Sequence, residues 1–473
     1  MVTYTLDAHS GVPLYEQLYQ AIRADIAAGV LAPDARMPSR RKLAAHLRVS
    51  AVTVDNAYEQ LTAEGYIYAL PRRGYFVSRV QSMRLYPMRS GEQDRHLCAP
   101  AAEKPVRPVL DMRTQGADTK HFPFSVWARL MREVLSEQHT ALLESTHSQG
   151  VPSLREQICT YLHDFRGVRA QPEQIIVGAG SEYLIGLLLQ LLGRDRVYAI
   201  EEPGYYKLRS IYENNGAHIA HVPLDEQGIS PDALRQSGAQ AVHVTPSHQF
   251  PTGLSMPVSR RMELLAWAAE DEARVIIEDD YDSEFRFSGR PVPAMQSLDA
   301  HGQVIYLNTF ARSLAPSLRI SYMVLPQRYL ARYQERMRYY ACTVPGFEQY
   351  TLSKFMARGY LERHIARMRA VYKARRDALV AAVGEFVLGE CLSTGAGLHL
   401  LLRANDARDA CTLAQLAEGA GVKVTPMASY FAEKMPDWAR GLLVLGFAGL
   451  DEAQLREAAR RLKEAWGKGS EAE

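Results

Sequence analysis

Apolar residues at Leu14, Leu18, Ile22 and Ile26 recur at helical spacing, and Gly29 follows where such a helix would stop. Ser39 precedes a second short amphipathic stretch with Leu43, Ala44 and Leu47. Ser50 precedes a third, with Val54, Ala57, Tyr58 and Leu61 on one face and Gly65 beyond its end. A serine hydroxyl can accept from the free N–H groups of a first helical turn, so both serines are expected N-caps. Two strand-like runs at 66–68 and 75–77 flank a turn holding Pro71, Arg72, Arg73 and Gly74. Three helices followed by a hairpin, over residues 1–79, predict a winged helix-turn-helix.

The periodicity then lapses. Residues 80–108 carry Pro87, Pro100, Pro105 and Pro108 with little pattern, which predicts an extended linker. From 109 to 467 apolar runs at 175–177, 197–200, 242–244, 275–277 and 304–307 alternate with helical stretches. That alternation predicts a largely parallel sheet wrapped by helices. Beyond about residue 328 the pattern is mainly helical and then mixed, as expected of a smaller C-terminal α/β subdomain.

Composition narrows the classes. A chain of 473 residues with 47% hydrophobic and 23% charged positions fits a globular protein of two or three domains. The net charge is only +2, so any nucleic-acid surface must arise from local clustering. Five scattered cysteines without a C-x-x-C pair argue against a zinc site or a disulfide framework and fit a cytoplasmic location. No basic n-region and apolar stretch opens the chain, so no signal peptide is expected. The longest apolar run, 183–192, is too short for a membrane span and reads as a buried helix.

Candidate chemistry begins in the first unit. Pro38-Ser39-x-Arg41-x-Leu43-Ala44, Val49-Ser50 and the wing ending Gly74-Tyr75-Phe76-Val77 resemble the GntR-family winged helix. A helix after a tight turn can enter the major groove with its N-terminal side chains at base edges. Arg40, Arg41, Arg48, Thr53 and Asn56 are thus the expected contacts to bases or phosphates, and Arg72 and Arg73 would touch backbone or minor groove from the wing tip. The family usually has arginine after Val-Ser; Ala51 stands there, so sequence readout should differ.

In the second unit, Gly178-Ala-Gly180-Ser181 joins a strand to a helix, where backbone N–H groups can hold a phosphate. Glu202-Pro-Gly-Tyr205, Thr245-Pro-Ser-His-Gln-Phe-Pro-Thr-Gly253, Glu278-Asp279-Asp280-Tyr281 and Asn308-Thr309-Phe310-Ala311-Arg312-Ser313-Leu314-Ala315-Pro316-Ser317-Leu318-Arg319 follow. Together these resemble fold type I pyridoxal-phosphate-dependent aminotransferases. With the first unit, the chain is similar to MocR/GabR-type transcription regulators. The implied fold class is α/β: a winged helix-turn-helix plus an aminotransferase-like domain with a mostly parallel sheet. The resemblance implies phosphate contacts from Ser181, Thr309 and Arg319, ring stacking by Tyr205, a partner for the ring nitrogen in Asp279 and for the ring hydroxyl in Tyr281.

Several positions depart from that pattern. Glu182 stands where the family often has glutamine. Phe250 replaces an asparagine, leaving His248 as the nearby polar candidate. Ala311 replaces a serine, and Arg312 stands where the family has its cofactor-binding lysine. A guanidinium stays protonated and cannot form the imine that a primary amine forms with an aldehyde. Lys207 is a candidate for an effector carboxylate, and Arg312 is expected to pair with a ligand phosphate, a ligand carboxylate or Asp279. The expectation is a non-catalytic, homodimeric regulator that binds double-stranded operator DNA. Its sensor would hold pyridoxal 5'-phosphate, or a related anionic small molecule, without a covalent bond. A cofactor-free dimerisation or sensor domain and an active aminotransferase are the alternatives. No metal and no membrane partner are expected.

Overall fold

The computed structural model describes residues 3–7, 10–71, 73–79, 109–114, 118–137, 140–287, 289, 292–433 and 435–467. The expected linker over 80–108 and the wing residue Arg72 lie outside the described residues. The chain divides into two compact units between Pro105 and Val106.

The first unit holds α1 (Leu14–Ala27), α2 (Arg40–Leu47), α3 (Ala51–Ala63) and an antiparallel hairpin of β1 (Ile67–Leu70) and β2 (Gly74–Val77). Gly29 at φ 75° and Gly65 at φ 76° take left-handed backbone just past α1 and α3, where a side chain would be strained. Both expected caps form: Ser39 accepts from the Lys42 N–H and Ser50 from the Thr53 N–H. Leu18, Ile22, Val54, Ala57, Tyr58 and Leu61 are fully buried and fuse α1 to α3. The hairpin is shifted slightly from its expected place. Gly74 pairs with Leu70 inside the ladder, and Met37 N–H donates to the Tyr75 carbonyl beside an isolated antiparallel bridge between Arg36 and Phe76.

The second unit is built on one eight-stranded sheet. Its strands are β3 (Ile175–Gly178), β4 (Val197–Glu202), β5 (His218–Asp225), β6 (Gly228–Ile229), β7 (Ala241–Val244), β8 (Val275–Asp279), β9 (Val304–Thr309) and β10 (Ser321–Val324), in the order β3-β10-β9-β8-β7-β4-β5-β6. Strands β9, β8, β7, β4 and β5 run parallel; β10 is antiparallel to both of its neighbours. The central strands are buried on both faces, which is why they read as unbroken apolar runs. Leucines of α4 (Ser181–Leu192) cover one face with Ile176, Ile277 and Leu307. Leu154, Ile158 and Leu162 of the helix Pro152–Arg166 cover the other with Val177, Tyr306 and Tyr322.

Three strands of this sheet, β5, β6 and β10, were not anticipated. Strand β5 carries two histidines and a proline among its apolar positions, and β10 is four residues long. After β10 come the expected helices, ending in Tyr360–Glu385. A four-stranded antiparallel sheet follows: β11 (Gly389–Leu392), β12 (His399–Ala404), β13 (Thr425–Pro426) and β14 (Leu442–Gly446), ordered β11-β12-β14-β13. Among the described residues, no helix is long and apolar enough to cross a membrane.

Candidate functional site

In the first unit the turn between α2 and α3 places Arg48 in left-handed backbone at φ 56°, with Ser50 capping α3. Arg41, Arg48, Asn56 and Arg73 are exposed and Thr53 is half-buried. Arg40 is engaged within the unit: its guanidinium pairs with Asp55 of α3 and lies over the Tyr75 ring. That bond ties the start of α2 to the first turns of α3, so Arg40 braces the two helices. The Thr53 hydroxyl lies 2.8 Å from that of Ser50.

In the second unit, register brings distant segments to one sheet edge. Gly178 of β3 pairs with Ser321 of β10, Ser321 with Thr309 of β9, and Leu307 of β9 with Asp279 of β8. These are the C-terminal ends of the parallel strands, where open α/β sheets collect ligands. A cavity of about 310 Å³ opens there. Of the residues expected to bind a ligand, Ser181, Tyr205, Lys207, Asp279, Tyr281, Thr309, Arg312 and Arg319 all line it. Lys207 is the one lysine among the described lining residues.

The start of α4 forms one wall. Gly180, the N-cap of α4, sits at φ 100° and has no side chain to cap the helix, a helix start of the kind that can serve as an anion subsite. Arg319, itself left-handed at φ 52°, donates to Glu182 at 2.8 Å and to the Ala179 carbonyl at 3.2 Å. Thr309 Oγ1 accepts from the Ala311 N–H and the Ser321 hydroxyl, which leaves its own O–H to donate.

Asp279 forms the floor with a partner that sequence reasoning missed. His243 of β7 places Nε2 3.4 Å from Asp279 Oδ2, and its Nδ1 lies 3.0 Å from the Tyr212 hydroxyl. Burial holds the Tyr212 hydroxyl well above its usual range, so it keeps its proton. The Asp279 carboxylate can only accept, which places a His243 proton on Nε2, facing it. A lone histidine in the apolar run at 242–244 was the available signal. Glu201 was missed too. It is buried, and burial lifts its carboxyl to about 7, against hydrogen bonds from Thr245 and Gln249 that pull it down.

One expectation needs correction. His248 does not line the cavity. It is buried behind Tyr281, with Nδ1 3.1 Å from the Tyr281 hydroxyl and 3.0 Å from Asp282, because Phe250 occupies the wall in its place. Phe250 meets the rings of Tyr205, Tyr281, Tyr430 and His399, making that side aromatic. Arg312 lines the cavity as expected, and its Nη1 donates to the Thr114 carbonyl at 2.9 Å. The nearby guanidinium opposes the burial that pushes the Tyr205 hydroxyl up to about 12. The loop Ser429–Ala432 closes the far side. Glu202 Oε1 accepts from the Ala432 N–H, and Gly204 N–H donates to the Tyr430 carbonyl.

Residues 14–77 match the bacterial regulatory proteins of the gntR family, and residues 115–462 match aminotransferase class I and II. The chain is 38% identical to the HTH-type transcriptional regulator YdeL of Bacillus subtilis, over 98% of this chain and 99% of that protein. It is 33% identical to the probable rhizopine catabolism regulatory protein MocR of Rhizobium meliloti, over 98% and 95%. The chain belongs to the MocR-like HTH-type transcriptional regulators. This regulator binds DNA through its gntR-type winged helix. Its second unit has the fold of the multiple substrate aminotransferase of Thermococcus profundus, at 25% identity and a TM-score of 0.67, over 78% of this chain and 93% of that one. A further relative of the regulator, 32% identical over 97% of both chains, is the pyridoxine biosynthesis regulator PdxR of Corynebacterium glutamicum.

Proposed function

We propose that the second unit is the regulator's sensor, and that it binds pyridoxal 5'-phosphate or a closely related anionic molecule without catalysing its chemistry. The observation that carries this reading is Asp279 held by His243, opposite a cup of helix N–H groups, Ser181, Thr309 and Arg319. That donor set suits such a ligand: anion donors at one end, a carboxylate for a ring nitrogen at the other, and aromatic rings between. Ser181, Thr309 and Arg319 would hold the phosphate, Asp279 the ring nitrogen, Tyr281 the ring hydroxyl and Tyr205 the ring face. When bound, the group supplies an aldehyde open to reversible reaction with amines.

Arg312 stands in the segment where aminotransferases carry their lysine, and it cannot supply an amine. Its charge inside the cavity, with Lys207 at the mouth, favours an anionic effector. The similarity to PdxR, whose name ties it to pyridoxine biosynthesis, supports the choice of ligand class. Domain boundaries at 1–79, 80–108 and 109–467, a homodimer and a cytoplasmic location belong to the same reading. So do DNA contacts from Arg41, Arg48, Thr53, Asn56, Arg72 and Arg73.

A sensor regulates only if its ligand distinguishes two states of the protein. The test is operator affinity of the full chain, measured with and without saturating pyridoxal 5'-phosphate, alongside direct titration of the ligand. The reading predicts saturable binding and a changed operator affinity. Absence of both contradicts it.

A further inference from the structure

The anion subsite is filled by the protein's own carboxylate. Glu182 lies in the first turn of α4 and its Oε2 meets Arg319 Nη2 at 2.8 Å. The pair sits directly over the Gly180 backbone: a Cβ at that position would stand 2.3 Å from Arg319 Nη2 and 2.6 Å from Glu182 Oε2. This is the approach a phosphate would take to reach the α4 N–H groups and Arg319 together. Both side chains are about half exposed, at 51% and 52%, so the pair is of the weak, exchangeable kind.

We propose that Glu182 is a displaceable internal anion that competes with the ligand phosphate for Arg319 and so sets the affinity of the sensor. The inference rests on the sensor reading above and assigns a specificity-determining role that the lining residues alone do not give. Burial opposes the charge on Glu182, but Arg319, the backbone N–H of Glu182 itself and the charge of Lys207 outweigh it. The carboxylate is therefore ionised at neutral pH. A dianionic phosphate entering the cup must break the Glu182–Arg319 bond and then lie beside a like charge, whereas an uncharged substituent does neither. A glutamine here keeps the shape and loses both effects. The result is a site in which the phosphate adds less affinity than its donors would otherwise give, which suits reversible sensing better than permanent retention.

The test compares the wild-type full chain with Glu182→Gln, using pyridoxal 5'-phosphate and pyridoxal as probes in calorimetric titrations. Like charges a few ångströms apart near a protein surface predict about a tenfold gain in affinity for the phosphorylated probe. Affinity for pyridoxal should stay within about twofold, and added salt should narrow the difference between the two proteins. An unchanged ratio of the two affinities in Glu182→Gln overturns the inference while leaving the sensor reading intact. Weaker binding of both probes by a folded Glu182→Gln, judged by circular dichroism, also overturns it, because Glu182 would then be a ligand contact. If neither protein binds either probe, the sensor reading and this inference fall together. Binding of the phosphorylated probe gained only in the variant supports the inference.

Discussion

Replacing Glu201 by glutamine isolates one buried carboxyl at the ligand cavity. Glu201 is 6% exposed at the end of β4. Its Oε2 accepts from the Thr245 hydroxyl at 2.6 Å and N–H at 3.2 Å, and Oε1 has no hydrogen-bond partner among the described residues. Burial, helped by the charge of Asp279, raises its pKa from 4.5 to about 7. The native state therefore holds this proton more tightly than the unfolded chain. The associated stability is fully present below the unfolded pKa and is lost as pH climbs through the folded value. Between about pH 5 and about pH 8 the loss is roughly 2–3 kcal/mol from this group alone. Glutamine keeps the acceptor for Thr245 and cannot ionise, so the variant should lack that part of the decline. All four tryptophans, Trp127, Trp267, Trp438 and Trp466, lie in the second unit, so their fluorescence in urea unfolding reports it alone. The burial of Glu278 and Glu284 acts equally in both proteins and cancels in the comparison. Parallel stability-against-pH curves for wild type and Glu201→Gln would refute the reasoning.

Further outcomes concern the DNA-binding unit. Ser50→Ala removes the cap of α3 and should cost the isolated first unit about 1 kcal/mol in thermal unfolding, with Ser50→Asp restoring most of it. Arg41→Ala should weaken binding to a selected operator by roughly 1–3 kcal/mol and relax preference at one base pair, whereas Arg73→Ala should weaken all sequences alike and flatten the salt dependence. Val52 is 65% exposed beside Ala51 at the start of α3, and with α3 in the major groove it is expected to meet a thymine methyl. Replacing single thymines by deoxyuridine in that operator should weaken wild type at one position per half-site and leave Val52→Ala indifferent. Equal sensitivity of the two proteins would remove Val52 from the interface.

Local rules carried much of the fold. The caps at Ser39 and Ser50 and the stops at Gly29 and Gly65 were legible because each depends on a few neighbouring residues. Strands β3, β4, β7, β8 and β9 were legible because burial on both faces leaves only apolar choices. Strand β10 was not, because four residues become a strand only when β3 and β9 flank them. The candidate site was legible where a motif is contiguous, as at 278–282 or 308–319. It was not legible where the choice rests on tertiary geometry. His243 and His248 lie five residues apart, yet one supports Asp279 and the other is packed behind Tyr281. Arg319 meets Glu182 across 137 positions, and Arg312 meets Thr114 across 198, so neither partner could be read from spacing. Arg40 was expected only as a DNA contact, and its pairing with Asp55 depends on the packing of α2 on α3.

A sensor that holds its ligand without a covalent bond should leave no trace of it on the protein after borohydride treatment. The full chain is saturated with pyridoxal 5'-phosphate, reduced, denatured and weighed intact, with the low-mass fraction assayed for the released compound. With Arg312 in the lysine segment, the protein mass should be unmodified and the ligand fully recovered as a small molecule. A reduced adduct on Lys207, or on any other residue lining the cavity, would contradict it.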